Sequence, residues 1–255
     1  MQTFLCLRLF GPMVAWGEIA IGERRPAVAQ PSRSGVLGLV AGALGLTRDD
    51  ADALSDLEQG LGFGSCVSVR GELLVDYHTA QAPQGTDVRK ARKNGNPMVT
   101  RKDELEAMQD GNAIQSWRTY FVDVVASACL WRTPRASRWT LEQLSEALRT
   151  PRFVPYLGRK SCPLGLPVDP QLGSSANPVD ALRTAQFSVD ALLGSRLVNA
   201  SGPRTYRWEG AWDGLTAQQT VTRRDRVHSR ARWQFAERQE HLFTEEGAAR
   251  VPQPA

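Results

Sequence analysis

The amino-acid sequence predicts an α+β fold, and three observations support this prediction. Residues 3–10 (TFLCLRLF) form a short apolar run that is typical of a buried strand. Residues 34–46 and 140–148 have the features of helices with recognisable caps, and long β-branched segments lie between them. With 255 residues, of which 42% are hydrophobic, the chain is long enough to bury a sizeable core.

The first strand is predicted to end at Gly11 and Pro12, because proline cannot donate to a strand ladder. A long loop leads to the first helix, for which Ser32 or Ser34 supplies the cap. Glycines recur along this helix three and four residues apart and share one stripe of its surface; they are Gly35, Gly38, Gly42 and Gly45. Such a stripe predicts a very close neighbour, which is either the chain's own sheet or a ligand.

Two further segments, residues 66–77 and 117–131, combine alternation with aromatic and β-branched side chains and are predicted to be strands. The second helix begins with a capping box from Thr140 to Gln143 and ends before Pro151. The order β, α, β, β, α, followed by a further extended segment, is that of a ferredoxin-like or RRM-like split βαβ unit.

This order divides the chain into three predicted parts. They are an RRM-like domain at residues 1–78 and 117–161, an insertion at residues 79–116, and a C-terminal region at residues 162–255. From Cys162 onward proline and glycine recur among short apolar pieces, so the C-terminal region is expected to be smaller and mostly β. Its charged run Arg223–Arg226 indicates no particular role, and residues 251–255 are expected to fray.

The charge balance is mildly basic, with 31 lysines and arginines against 27 acidic residues. Nearly all of these cations are arginine, which suits bidentate phosphate contacts and base stacking; a genome rich in arginine codons gives the same composition. Four scattered cysteines without a C-x-x-C pair predict buried thiols in a reducing cytoplasm, with neither a zinc site nor a disulfide framework. No signal peptide and no membrane span is expected.

The insertion is divided by charge. Residues 89–102 carry six cations and no acid, whereas residues 103–110 carry four acids and no cation. Asn94–Pro97 predicts a turn within the basic half. A basic arm with a turn at its tip can contact a polyanion, and the alternative is a solvated loop. The candidate phosphate contacts of the arm are Arg89, Lys90, Arg92 and Lys93.

The start of the first helix is a candidate anion site. Free backbone N–H groups and the positive end of the helix dipole meet at Ser32, Ser34 and Gly35, and Arg33 stands beside them. An ordinary helix cap without a ligand explains the same residues.

Three segments together resemble the fifth Cas family of the RAMP superfamily, in the form of the CasD-type subunits of the type I-E CRISPR Cascade complex. They are LRLFGPMVAWG at residues 7–17, PSRSGVLGL at residues 31–39 and TPRFVPYLGRKSCP at residues 150–163. Shorter segments agree, namely DYHT at 76–79, QSWRTYFVD at 115–123 and QFAER at 234–238. The resemblance therefore spans nearly the whole chain.

The resemblance implies a RAMP domain that binds the 5′ handle of a crRNA, with the insertion as a thumb that contacts the guide and the adjacent backbone subunit. It implies a non-catalytic structural role in a cytoplasmic ribonucleoprotein complex for antiviral defence. The implied partners are the crRNA, the Cascade backbone subunit and the large subunit, whereas target DNA is contacted only through the assembled complex. No membrane partner and no cofactor is implied.

The segment that contains Tyr156, Gly158, Arg159 and Lys160 fits the same RNA-binding role. Glycine permits close approach, tyrosine can stack on a base, and the two cations can contact phosphates. The alternative is a tight turn whose tyrosine packs inward.

Tyr77 and His78 are the remaining candidates for RNA contact, and they also define an alternative function. Cleavage of RNA without a metal needs a general base and a general acid, and histidine is the usual supplier. A metal-independent endoribonuclease that processes CRISPR repeat RNA would use His78 with Tyr77. The resemblance favours the non-catalytic role, and no cluster of residues predicts a metal site.

Overall fold

A computed structural model describes residues 1–96, 99–108, 113–135, 137–187, 202–229 and 234–246. Within these ranges the chain is a mixed α/β protein with largely antiparallel sheets, which confirms the predicted combination of helices and strands. The strands are β1 (Gln2–Phe10), β2 (Met13–Val14), β3 (Trp16–Gly17), β4 (Arg24–Arg25), β5 (Ala27–Val28), β6 (Leu61–Val69), β7 (Glu72–Gln81), β8 (Ala113–Val122), β9 (Val125–Arg132), β10 (Gln171–Ser175), β11 (Arg204–Trp208), β12 (Gln219–Ser229) and β13 (Gln234–Glu245). The helices are α1 (Arg33–Leu44), α2 (Ala51–Gly60), α3 (Gly85–Lys93), α4 (Arg101–Ala107), α5 (Leu141–Arg149) and α6 (Pro178–Thr184).

The main sheet has seven strands in the order β10-β1-β9-β6-β11-β13-β12, and every neighbouring pair is antiparallel. Both faces of this sheet are covered, which explains why β1 is almost continuously apolar. Leu5 and Leu7 of β1 pack in one core with residues of α1 and α5, such as Val40 and Leu144. Phe4, on the opposite face, belongs to a second core with residues of α6.

The strands after residue 162 extend this same sheet and form no separate one among the described residues. β10 pairs with β1, and β11 pairs with β6, so the sheet continues across the predicted boundary between the RRM-like domain and the C-terminal region. β13 and β12 then complete the far edge. The tail at 251–255, which was predicted to fray, lies outside the described residues.

The two long predicted strands, residues 66–77 and 117–131, are each divided in two. The ladder of β6 and β9 ends at the pair Val69 and Val125, and the ladder of β7 and β8 begins at the pair Glu72 and Val122. Between them Gly71 has a φ of 66°, and a Cβ there would lie 2.0 Å from the Val122 carbonyl oxygen. Both strands therefore leave the main sheet at the same position, and the β7–β8 hairpin joins β2 and β4 in a second sheet.

The predicted helix starts are confirmed. The Ser32 side chain caps α1 by accepting from the Gly35 N–H, and α5 begins with the capping box of Thr140 and Gln143. Helix α2 was not predicted, and the predicted insertion contains helices α3 and α4 as well as the ends of β7 and β8. Pro97, which belongs to the predicted turn, lies outside the described residues.

All four cysteines are buried and free, which confirms the prediction of buried thiols without disulfides. Burial raises the pKa of the Cys66 thiol to about 11, so this group stays protonated at neutral pH. Across the described ranges, no helix combines the length and the apolar character that crossing a membrane requires.

Candidate nucleic-acid interface

A groove with a volume of about 1360 Å³ lies between the start of α1 and the β12–β13 hairpin. Ser32 and Ser34 from the predicted anion site line one side of it. The other side is formed by residues of the C-terminal strands to which the sequence had assigned no role. They include Arg207, Arg223, Arg224, Phe235 and Arg238.

Arg33 is oriented away from solvent, and only 3% of its surface is exposed. Its guanidinium forms ion pairs with Glu58 and with Glu209, the latter at 2.9 Å. It also donates to the carbonyl oxygens of Glu58 and Leu61 at 2.6 and 3.0 Å. Arg33 thus joins the start of α1 to the end of α2, which corrects the prediction that it contacts a phosphate.

A buried network of ion pairs continues from Arg33 into the C-terminal hairpin. The Glu209 carboxylate pairs with Arg33 and also with Arg238, at 3.3 Å. Arg238 in turn pairs with Asp225 at 2.6 Å and with Glu240 at 2.9 Å. Burial raises the pKa of the Glu209 carboxyl, and the charges of Arg33 and Arg238 oppose that shift. The network fixes the hairpin relative to α1, so the two walls of the groove are held together.

The groove side of this network presents three further arginines. The buried Glu240 carboxylate accepts from Arg207 at 3.0 Å and from Arg223 at 3.2 Å. Arg223 also pairs with Glu18, which lies on the opposite wall, at 3.1 Å. Arg224 is exposed in the groove and forms no ion pair with a described residue. The groove is therefore lined by cations that buried carboxylates orient, together with one cation that is open to a ligand.

The glycine stripe of α1 has two different surroundings. At Gly35 a Cβ would lie 2.6 Å from the Trp16 ring, so this glycine allows the indole to pack against the helix start. At Gly38 and Gly42 no described atom outside the helix lies within 4 Å of a Cβ. The prediction of a close neighbour is therefore wrong for Gly38 and Gly42 within this chain.

The segment after α5 is a tight turn that packs against the loop before β3. Gly158 has a φ of 90°, and a Cβ there would lie 2.0 Å from the Ala15 carbonyl oxygen. Arg159 donates to the carbonyl oxygens of Thr119 and Arg25 at 3.0 and 2.8 Å.

These contacts account for the conformation of Gly158 and the orientation of the Arg159 guanidinium within the chain, and the contact of both residues with RNA stays a prediction. Tyr156 is 40% exposed, in contrast to the inward-packed alternative, and Lys160 is exposed as well. Tyr156 and Lys160 therefore have the most accessible of the candidate side chains in this segment.

The insertion extends from the β7–β8 hairpin and ends in α3 and α4. The four candidate cations of the arm, Arg89, Lys90, Arg92 and Lys93, all lie on the surface of α3. Asp87, the one acidic residue of this helix, is buried, and its carboxylate accepts from the Gln84 N–H as part of a capping box. At the base of the arm Tyr77 is half-exposed, and its ring centroid lies 5.2 Å from that of Trp117.

His78 and Tyr77 do not form an acid–base pair. They are neighbours on β7, and successive side chains of a strand point to opposite faces. The His78 imidazole pairs with the Asp76 carboxylate. In the described part of the chain no group of three or more His, Cys, Asp or Glu side chains is arranged to hold a metal ion.

Comparisons with known proteins agree with this architecture. The family model described as CRISPR-associated protein (Cas_Cas5) matches residues 4–240. The CRISPR system Cascade subunit CasD of Escherichia coli (strain K12) is 34% identical over an alignment of 192 residues, and the match covers 71% of this chain and 76% of that protein. A solved chain titled "CRISPR RNA-guided surveillance complex" is 25% identical with a TM-score of 0.62, and covers 96% of this chain and 91% of that one.

A second solved chain, titled "Crystal structure of Cas protein", has a TM-score of 0.53 at 23% identity, with 95% of this chain and 94% of that chain covered, and it supports the fold. The chain belongs to the Cas5 family of CRISPR-associated proteins. Within that family the similarity to CasD confirms the resemblance to CasD-type subunits.

Proposed function

We propose that this protein is a non-catalytic structural subunit of a type I-E Cascade complex and that it binds the 5′ handle of crRNA. The observation that carries the proposal is the arginine-lined groove beside the start of α1, in a chain of the Cas5 family. The relative from Escherichia coli is named as a Cascade subunit, and a structural relative comes from an RNA-guided complex. The protein would act in the cytoplasm, in antiviral defence.

The fold detail of the proposal is a ferredoxin-like RAMP domain with an inserted thumb. The chain order β1, α1, β6, β9, α5, β10 matches the split βαβ unit, and those four strands are adjacent in the main sheet. The β7–β8 hairpin with α3 and α4 is the thumb, which contains residues 79–116 and begins earlier, at the bend near Gly71. The strands after β10, which are β11, β12 and β13, belong to the C-terminal region.

The proposed RNA contacts fall into two surfaces. In the groove, the hydroxyls of Ser32 and Ser34 and the Arg224 guanidinium face the ligand, with Phe235, 38% exposed, as a surface for stacking. On the thumb, the surface cations of α3 contact the guide and the neighbouring backbone subunit. Tyr156 and Lys160 remain proposed contacts, and the large subunit and target DNA meet the protein only in the assembled complex.

The non-catalytic part of the proposal rests on the arrangement of β7. His78 pairs with Asp76, while Tyr77 projects from the other face, so the two side chains cannot act on one phosphodiester. The alternative, a metal-independent endoribonuclease, predicts cleavage of repeat RNA in EDTA.

The test is to incubate the purified full chain with end-labelled CRISPR repeat RNA in EDTA. We expect retention of the RNA in a filter-binding assay without cleavage, and affinity that falls steeply with salt. As a matched comparison, Arg224→Gln removes an open groove cation, whereas Arg48→Gln removes an exposed arginine outside the groove. Cleavage that disappears in His78→Ala would support the endoribonuclease, and equal affinities of the two arginine variants would contradict the groove assignment.

A further inference from the structure

One ion pair joins the two walls of the groove. Glu18 follows β3 on the wall formed by the segment before α1, and Arg223 belongs to β12 on the opposite wall. Their side chains meet at 3.1 Å between Glu18 Oε1 and Arg223 Nη1. This contact links residues that are 205 positions apart in the chain.

The Arg223 guanidinium is held by two carboxylates of different kinds. Its Nε donates to Glu240 Oε2 at 3.2 Å, and Glu240 is only 5% exposed. Its Nη1 donates to Glu18, whose side chain is 40% exposed. The buried carboxylate therefore fixes the orientation of the guanidinium, whereas the exposed one, which also lines the groove, pairs with a different nitrogen of the same group.

The Glu18 side chain can move without disturbing either hydrophobic core, because its segment lies on the surface. Residues 17–20 are all exposed, and Ile19 is 71% exposed. The Glu18 N–H donates to the Pro26 carbonyl oxygen at 3.3 Å, so the backbone is tied while the carboxylate remains on the surface. An exposed ion pair of this type is worth little in water, so a second anion can displace it at low cost.

We propose that Glu18 is an internal competitor for RNA. Its carboxylate occupies the position on Arg223 that a phosphate takes when a single-stranded RNA enters the groove. This proposal rests on the proposed function. The phosphodiester takes over the Nη1 side of Arg223, and the released Glu18 carboxylate turns to solvent. The guanidinium needs no rearrangement, because Glu240 already holds its other side.

The neighbours of Arg223 define the ligand as a phosphodiester with an unstacked base. Arg224 follows Arg223 at an irregularity of the β12–β13 ladder and also lines the groove, so it adds an open cation for an adjacent phosphate. Phe235, on β13, offers a partly exposed ring to a base. Since Glu18 repels phosphates that do not engage Arg223, it lowers the affinity for polyanions in general and favours RNA that fits the groove.

The experiment compares Glu18→Gln with Glu23→Gln in the full chain. Both substitutions remove one negative charge, and Glu23 lies in the same exposed segment but has no ion pair with a described residue, so the comparison isolates the contact with Arg223. The probe is a single-stranded RNA with the sequence of the 5′ handle of the crRNA. We expect Glu18→Gln to raise the affinity about two- to fivefold more than Glu23→Gln does, in keeping with the small strength of an exposed pair.

A second comparison ties the effect to Arg223. In an Arg223→Gln background the advantage of Glu18→Gln over Glu23→Gln should disappear, with thermal melting used to confirm that each variant is folded. If the parent binds the probe and the two glutamate variants bind it equally, the role of Glu18 is overturned while the proposed function stands. If the parent does not bind the probe at all, the proposed function fails and the inference fails with it.

Discussion

The groove and the thumb are both basic, but their cations are held in different ways. In the groove, buried carboxylates orient the arginines. The single carboxylate of Glu240 pairs with three of them, namely Arg207, Arg223 and Arg238. On α3 the cations lie on the helix surface, and the one acid of that helix is used in its cap. The difference teaches that this protein separates two tasks. The groove holds its cations in fixed positions that suit recognition of a shaped ligand, whereas α3 attracts a polyanion by charge.

The largest expected effect on stability comes from removing Arg33 from the buried network of ion pairs beside the groove. Arg33→Met leaves the carboxylates of Glu58 and Glu209 buried with fewer partners. We expect the free energy of unfolding to fall by about 3–5 kcal/mol, measured by urea denaturation. Arg48→Met, at an exposed position, is the control and should change it by less than about 0.5 kcal/mol. Equal effects of the two substitutions would mean that the network contributes nothing to stability.

A smaller effect on stability is expected at two adjacent cations, of which one is held by acceptors within the chain and the other is exposed. Arg159→Gln removes two charged hydrogen bonds to carbonyl oxygens and should cost about 1–3 kcal/mol of unfolding free energy. Lys160→Gln, one residue later and exposed, should leave stability within about 0.5 kcal/mol but weaken RNA binding. The two readouts are thermal melting and filter binding. A stable Arg159→Gln protein with weakened RNA binding would make Arg159 an RNA contact after all.

The smallest effect on stability is expected on the thumb. Arg92→Gln with Lys93→Gln removes two exposed cations of α3, and should leave the unfolding free energy within about 0.5 kcal/mol. The matched control, Arg101→Gln with Lys102→Gln, removes two cations that already pair with Glu104 and Glu106.

Only the α3 variant should flatten the log–log salt dependence of RNA binding to the assembled complex, by roughly 0.7 for each phosphate that the removed cations had neutralised. Identical slopes for both double variants would show that the cations of α3 do not bind phosphate. A large drop in the stability of the α3 variant would show that these side chains are part of the packing instead.

Features set by nearby residues could be predicted from the sequence, and features set by distant ones could not. The starts of α1 and α5 were predictable because Ser32 and Thr140 cap within three residues. The burial of Arg33 was not, since its partner Glu209 follows much later in the chain. The groove was not predictable for the same reason, because its two walls come from segments far apart in the chain, as the pair Glu18 and Arg223 illustrates.

Two helices that were not predicted nevertheless carry local signals in the sequence. Helix α2 has Ala53 and Leu57 four residues apart on its buried side, after an acidic start. Helix α3 begins with a capping box between Gln84 and Asp87, which the dense charge after it obscures. The division of the long strands is different, because β propensity continues through the bend near Gly71 and only the pairing shows where the sheet changes.

That bend has a consequence for how such chains diversify. The outgoing and returning strands cross from the main sheet at the same level, between the pair Val69 and Val125 and the pair Glu72 and Val122. Further along the hairpin lies a second junction, at the pair Tyr77 and Trp117; beyond it the described residues, with α3 and α4, belong to neither core, so their length and composition can change without repacking either one. This second junction therefore acts as a grafting point, at which one scaffold can carry projections suited to differently spaced neighbours.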